Sequence, residues 1–354
     1  MKKKYKKAGL VLFLLIFLVL VVLFRTKVLK LANIQKKILP KKEAAVSFYA
    51  FSKNFRGKLN LACGKIGNDN QIIVVPQNSL PAIVKAFNKN GRKLWTSGAH
   101  SKYQGFNAAL GDLDGDGKNE IVLGQTENKP QIFIYKQKGK KFVLAGSFAA
   151  FGDLHLGVNL ALGDVNGDGK AEIIVGAGQG GGPQVKIFSF QANLKSSQEI
   201  EGKISELGNF FAFHPKMRHG VRIATLDFDD DGKDEIIALS NLERDTQFKI
   251  YKFDRIYSLQ NVTRVYGKKI KIPANLLTVD INDDGKKEII IMPQKKLGQE
   301  FKIFGHGAEI KNSFLDNYLD IEGGVNLAVC DLNNNKRNEV IINETGSKIK
   351  IFER

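Results

Sequence analysis

Sulfur and tryptophan are scarce in this 354-residue chain, which has two cysteines, three methionines and one tryptophan. Two cysteines, Cys63 and Cys330, are too few for the disulfide-dense scaffold of small secreted domains. The histidines, His100, His155, His214, His219 and His306, lack the H-E-x-x-H spacing of a zinc protease. His214 and His219 flank Pro215 and read as loop residues. There is no G-x-S-x-G elbow, no cysteine–histidine nucleophile pattern and no Walker loop. The glycine-rich Gly178-Gln-Gly-Gly-Gly182 is followed by a strand-like run and not by a helix N-terminus, so a hairpin turn is expected there. Trp95 has no repeated counterpart. Acids are also in short supply, 36 Asp and Glu against 54 Lys and Arg, for a net charge of +18. No basic-aromatic array of a nucleic-acid module accompanies that charge. These absences point away from catalysis and from nucleic acid.

The chain is instead rich in one short loop. Its first copy places Asp112, Asp114, Asp116 and Glu120 at positions 1, 3, 5 and 9. The second has Asp164, Asn166, Asp168 and Glu172; the third has Asp227, Asp229, Asp231 and Glu235. Asp280, Asn282, Asp284 and Glu288 follow, and then Asp331, Asn333, Asn335 and Glu339. Four oxygen side chains so spaced describe a calcium cage, because a hard cation prefers several oxygen ligands. Glycine at position 6 allows a positive φ without a Cβ clash. The ninth-position Glu runs straight into β-branched residues such as Ile173-Ile-Val175, so each loop joins two strands. An EF-hand would instead place its Glu at position 12, between helices. Four filled cages are expected. The fifth is doubtful, having two formal negative charges and Lys336 at the turn.

The loops begin 52, 63, 53 and 51 residues apart, a period that signals an array. Asn60-Leu-Ala-Cys-Gly-Lys65 matches Asn159-Leu-Ala-Leu-Gly-Asp164 and marks a sixth, degenerate unit that has lost its cage. Asparagine recurs five residues before the loop start at Asn60, Asn107, Asn159, Asn275 and Asn326, with Arg222 as the exception. Each unit reads as four strands; in the third they are expected near 158–163, 172–176, 184–190 and 204–213. Repeated four-stranded units make β-propeller blades. Val46-Ser-Phe-Tyr-Ala-Phe51 resembles the outer-strand segment Asn209-Phe-Phe-Ala-Phe213, whereas the chain ends soon after the third strand of the last unit. The N-terminal strand should therefore complete the last blade and close a six-bladed, all-β ring. Cys63 and Cys330 fall on equivalent inner strands of the first and last blades. They stand two and one residues before their loop starts, so the pleat should point them to opposite faces and leave free thiols.

These loop-strand units resemble FG-GAP or VCBS repeats, as found in the propeller of integrin α-subunits. The best match is Leu160 through Gly178 and on to Phe188, and the resemblance spans roughly residues 46–354. It implies a calcium-binding propeller and is poorly specific for ligand.

Residues 1–7 form a basic tail and Ala8–Phe24 an unbroken apolar run of 17 residues, long enough to span a bilayer as a short helix. No small-residue cleavage site follows, so an uncleaved signal anchor is expected, with a cleaved signal peptide as the alternative. The Lys cluster places the tail in the cytoplasm, and cages of calcium type suit an exterior location. Residues 25–45 read as a basic stalk and 46–354 as the propeller. The tail, span and stalk carry much of the positive charge: 12 Lys and Arg against one Glu lie within residues 1–44. The propeller's own basic excess would suit an extracellular protein or anionic glycan as partner, or be a merely solvated surface. The expected function is a membrane-anchored, outward-facing adhesion or recognition propeller, not an enzyme. The alternatives are a propeller enzyme acting on anionic polysaccharide and a structural subunit of an envelope complex. The segment Gln191–Gly202, beyond the regular repeat, is a candidate contact.

Overall fold

A computed structural model of the chain describes residues 43–78, 83–98, 105–139, 141–194, 200–240, 246–254, 256–266, 273–294, 301–305, 308–310, 325–343 and 346–353. The expected tail, apolar run and nearly all of the stalk lie outside these residues, as do His100 and His306. Among the described residues no helix is long and apolar enough to cross a membrane.

Six four-stranded antiparallel sheets form the blades of a propeller. Strand β1 is Val46–Tyr49. The first blade follows as β2 (Leu59–Ile66), β3 (Asp69–Pro76), β4 (Ile83–Phe87) and β5 (Lys93–Gly98). The second comprises β6 (Phe106–Gly111), β7 (Glu120–Gln125), β8 (Gln131–Lys138) and β9 (Lys141–Ala149). The third comprises β10 (Val158–Gly163), β11 (Glu172–Ala177), β12 (Gln184–Leu194) and β13 (Ile200–Phe211). The fourth comprises β14 (Val221–Leu226), β15 (Glu235–Ser240), β16 (Gln247–Asp254) and β17 (Ile256–Arg264). The fifth comprises β18 (Ala274–Val279), β19 (Glu288–Pro293), β20 (Lys302–Gly305) and β21 (Ala308–Ile310). The last has β22 (Asn326–Cys330), β23 (Glu339–Asn343) and β24 (Lys348–Phe352), and β1 completes it.

The burial pattern follows from this arrangement. Each blade's second strand is covered on both faces by neighbouring blades, so β7, β11, β15 and β19 are buried at every position. That is why their sequences are continuous β-branched runs rather than alternating ones. The first strands line a central channel, where small and polar residues alternate with apolar ones.

Closure by β1 is as the sequence predicts. Val46 pairs with Ile351 and Tyr49 with Lys348. The Ala-Phe pairs that follow the outer strands share one setting. Ala50, Ala150 and Ala212 are buried, and their amides donate to Ser347 O, Pro130 O and Pro183 O. Lys85, Lys186 and Lys249 of the following blades lie over the rings of Phe51, Phe151 and Phe213, at 4.0, 5.8 and 4.7 Å. The N-terminal strand is thus a regular outer strand. Phe48 packs 4.7 Å from the Phe87 ring of the first blade. It also fills the space above Gly91, where a Cβ would come within 2.5 Å of its ring.

The asparagine register becomes a ring of bonds between blades. Asn107 donates to Val158 O at 3.1 Å, Asn159 to Val221 O at 2.8 Å and Asn275 to Val325 O at 3.4 Å. Asn326 donates to Leu59 O across the closure, and Asn60 Oδ1 accepts from Ala108 N at 2.8 Å. Five side chains thereby tie innermost strands to their neighbours.

One expectation is corrected. Cys63 and Cys330 are not free thiols; they form a disulfide with Cα atoms 5.9 Å apart. Opposite pleat faces, which argued against the bond, are what it needs. Adjacent blades meet with opposite faces, so a side chain from one face of β2 meets one from the other face of β22. The described residues of the candidate contact Gln191–Gly202 continue β12 and β13, which pair out to Leu194 and Ile200.

Phe48→Ala should lower stability by about 2–4 kcal/mol, since it opens a cavity between the first and last blades. Thermal unfolding of the full chain would show a single transition several degrees lower; an unmoved transition would mean that β1 does not hold the ring together.

Candidate metal centre

All five loops adopt one geometry on one rim, including the fifth. Position 6 has positive φ in every copy: 79° at Gly117, 82° at Gly169, 85° at Gly232, 87° at Gly285 and 66° at Lys336. Lys336 therefore takes a left-handed conformation that costs a Cβ-bearing residue about 1–2 kcal/mol. The neighbouring hydrogen bonds hold it there: Lys336 N donates to Asp331 Oδ2 at 2.7 Å and Asn335 N to Asp331 Oδ1 at 3.0 Å. The first Asp of each loop folds the turn around its own carboxylate in this way, as when Gly115 N and Gly117 N donate to Asp112 at 2.8 Å.

Position 9 anchors the loop to the core. Leu113, Val165, Ile281 and Leu332, at position 2, are buried. Their amides, and that of Phe228, donate to Glu120, Glu172, Glu288, Glu339 and Glu235 at 2.6–3.0 Å. The five glutamates are themselves buried. Burial therefore raises their pKa values, to about 7 at Glu120 and about 8 at Glu172, and in the same direction at Glu235, Glu288 and Glu339. Neighbouring loops interlock through position 8. Ala171 N donates to Asp112 O, Asp234 N to Asp164 O and Asn338 Nδ2 to Asp280 O, at 2.7–3.0 Å.

The donor sets separate into two kinds. Where position 3 is Asp, three carboxylates converge. One oxygen each from Asp112, Asp114 and Glu120 lie within 4.8 Å of one another, and so do those of Asp227, Asp229 and Glu235. Such clusters could hold a metal ion. In both, a lysine from the blade's third strand already enters. Lys136 Nζ stands 2.8 Å from Asp114, 3.0 Å from Asp116 and 2.9 Å from Glu120. Lys252 Nζ stands 2.5 Å from Asp229, 2.7 Å from Asp231 and 3.6 Å from Glu235. The ammonium sits among the position 3, 5 and 9 oxygens, where a cation would. Hydrogen bonds to these carboxylates outweigh its burial and raise the pKa of Lys136, and they raise that of Lys252 as well.

Where position 3 is Asn, the third strand offers no lysine: Ser189, Gly305 and Glu353 stand at the matching positions. There the amide turns inward instead. Asn166, Asn282 and Asn333 donate from Nδ2 to Glu172, Glu288 and Glu339 at 2.7–2.8 Å. An amide flip would present an oxygen to a cation instead. The predicted residues are thus brought together in all five loops, and Asp331 and Glu339 are the only carboxylates of the fifth set. Lys136 and Lys252 escaped the loop pattern because they lie 24 and 25 residues beyond the loop start, on another strand. Aligning the third strands would have exposed them.

Residues 68–175 match the model of the FG-GAP-like repeat family. Integrin alpha-7 from Homo sapiens is 28% identical over 152 residues, which is 39% of this chain and 12% of the integrin. The Mus musculus protein matches to the same extent. The chain thus spans 12% of the length of these relatives. Among solved structures, a Bacillus licheniformis rhamnogalacturonan lyase aligns with a TM-score of 0.45 at 11% identity, over 89% of this chain and 74% of that one. Saccharomyces cerevisiae Sqt1 aligns at 0.48 with 10% identity, over 89% and 99%.

Burial-raised glutamates give the metal-free loops a signed pH dependence. The folded state favours the protonated form of Glu172, so its contribution is full below the ordinary value of 4.5 and is lost as pH rises through about 8. In excess chelator, the melting temperature should fall between roughly pH 5 and pH 8. Glu172→Gln should flatten that fall, and an identical slope in the variant would refute the assignment.

Proposed function

We propose that this FG-GAP-like, integrin-like propeller is a membrane-anchored, outward-facing calcium-binding protein that recognises a macromolecular partner rather than catalysing a reaction. Calcium would be held by the oxygens of positions 1, 3, 5 and 9, and the ion would supply charge neutralisation and loop rigidity. The Asp114 and Asp229 loops offer the most carboxylates, and there calcium competes with Lys136 and Lys252. The Asn166 and Asn282 loops have fewer charges and no such competitor. Asp331 with Glu339 forms the weakest set. The apolar run 8–24 would provide the anchor, with its Lys-rich flank in the cytoplasm.

The observation that carries the binding role is the hairpin β12–β13, which is longer than its counterparts. The backbone pairing runs its full described length, and Ile204 packs over Gly146 of the second blade, so the hairpin is braced. Its outer strand nevertheless leaves Leu207 and Phe211 exposed, at 38% and 47%. A rigid edge with exposed large apolar side chains suits a protein partner, because little order has to be created on binding. An anionic glycan would instead draw on the basic excess of the propeller surface.

Calcium should raise the melting temperature of the full chain by mass action, with magnesium a poor substitute. Lys136→Met should lower that temperature in chelator and enlarge the calcium-induced rise, because the internal cation is gone. Equal calcium responses in wild type and variant would show that the first loop does not take the ion.

Protein and glycan arrays probed with the full chain, with and without calcium, test recognition. Binding should fall by about ten-fold or more in a Leu207→Asp, Phe211→Asp variant that melts like wild type. Undiminished binding would move the contact surface elsewhere on the disc.

A further inference from the structure

The ring of asparagines has one break, and it holds a charge. Blade 4 carries Arg222 where the other innermost strands carry Asn60, Asn107, Asn159, Asn275 and Asn326. Arg222 lines the central channel, a cavity of about 850 Å³. Its Nε is buried and has no hydrogen-bond partner, and among the described residues it forms no salt bridge. Lysines and arginines elsewhere in the fold, such as Lys136, Lys252 and Arg218, are anchored on carboxylates or backbone carbonyls. Burial without a counter-charge draws the Arg222 guanidinium down to about 10. Arg222 as a whole is half-buried, with its Nε shielded from water, and a partly desolvated cation without a partner costs stability.

The surroundings restrict what could pair with it. Among the described residues lining the channel Asp280 is the sole carboxylate, and it belongs to the loop rim at the other end. Arg56 and Lys58, just before β2, line the end nearer Arg222. Among the described residues that mouth is therefore basic, which draws anions inward. Four of the five asparagines already donate to neighbouring strands, as with Asn159 to Val221 O. The oxygens of Asn60, Asn107 and Asn275 already accept from Ala108 N, Gln77 and Gln294, so beside Arg222 it is Asn159 Oδ1 that is left to accept from a hydroxyl group.

We propose that the central channel is a binding site for a small hydroxylated carboxylate, a sugar acid, whose carboxylate pairs with Arg222. One guanidinium fork matches one planar carboxylate in both geometry and charge. Inorganic phosphate carries no carbon-borne hydroxyl groups from which the amide oxygen could accept. This site lies in the channel, away from the β12–β13 edge, so it stands or falls independently of the recognition surface.

The test is calorimetric and thermal titration of the full chain with glucuronate, with glucose and inorganic phosphate as controls. It compares wild type with Arg222→Asn, which restores the residue of the other five blades, and with Arg222→Lys, which keeps the charge and loses the fork. Glucuronate should bind wild type at one site and raise its melting temperature, whereas glucose should not. Affinity should drop by about ten-fold or more in the Asn variant and by less in the Lys variant. Without ligand, Arg222→Asn should melt higher than wild type, since it removes the unpaired charge and offers the missing latch. Four results would each overturn the proposal: no glucuronate binding to wild type, equal binding to the Asn variant, phosphate binding as tightly as glucuronate, or an Asn variant that melts below wild type.

Discussion

A ring of sheets is held by what passes between blades, and here three kinds of bond do so at different depths. Asparagine side chains join innermost strands along the channel. Position-8 groups grip the first carbonyl of the neighbouring loop on the rim. Apolar side chains fill the space between blade faces, which is why β7, β11, β15 and β19 are buried throughout. The first and last blades must meet on the same terms as the others, although nearly three hundred residues separate them. They do so through β1, the Asn326 latch and the Cys63–Cys330 bond. A closed ring has no free sheet edge at this junction, and the contacts of each blade constrain those of the next.

The rim loops show how one backbone shape accepts different charge balances. The turn is set by the first Asp and by a left-handed sixth residue, and both persist in the fifth loop although Lys336 replaces glycine. The shape therefore does not depend on how many acids the loop holds. Charge does. A third-position Asp comes with a third-strand lysine, and a third-position Asn comes without one, so each loop balances its buried glutamate locally. Lys136 and Lys252 make two of the loops self-contained ion clusters, in which a metal ion and an ammonium are alternatives for the same oxygens.

The channel follows different logic from the rim. Its wall is largely neutral amide and apolar surface, and among the described residues Arg222 is a half-buried charge placed there with its Nε unpartnered. Departures from a repeat are informative because the other copies show what the fold alone requires. Five blades carry asparagine at that level and use it to bond a neighbouring blade, a role for which Arg222 has no counterpart bond among the described residues. The same comparison isolates the β12–β13 hairpin, whose extra length the ring does not need.

The repeat pattern in the sequence determined the fold class, the six units, the closing strand and the residues gathered at each loop. These features are local: strand-forming runs follow the ninth-position glutamate, and the Asp-x-Asn/Asp-x-Asp/Asn turn organises itself within nine residues. The Asn register was visible as periodicity, although its purpose was not. Everything that depended on which faces meet was decided by the tertiary structure. The cysteines were misassigned because a single strand's pleat says nothing about the neighbouring blade, whose opposite face supplies the partner. Lys136 and Lys252 reach the loops from strands two elements away, a distance that sequence spacing does not measure. The described residues at either end of Gln191–Gly202 extend β12 and β13 because pairing with each other satisfies their backbone groups. Whether Arg222 meets a counter-charge could be settled only by the channel around it, because six strands from all parts of the chain converge there.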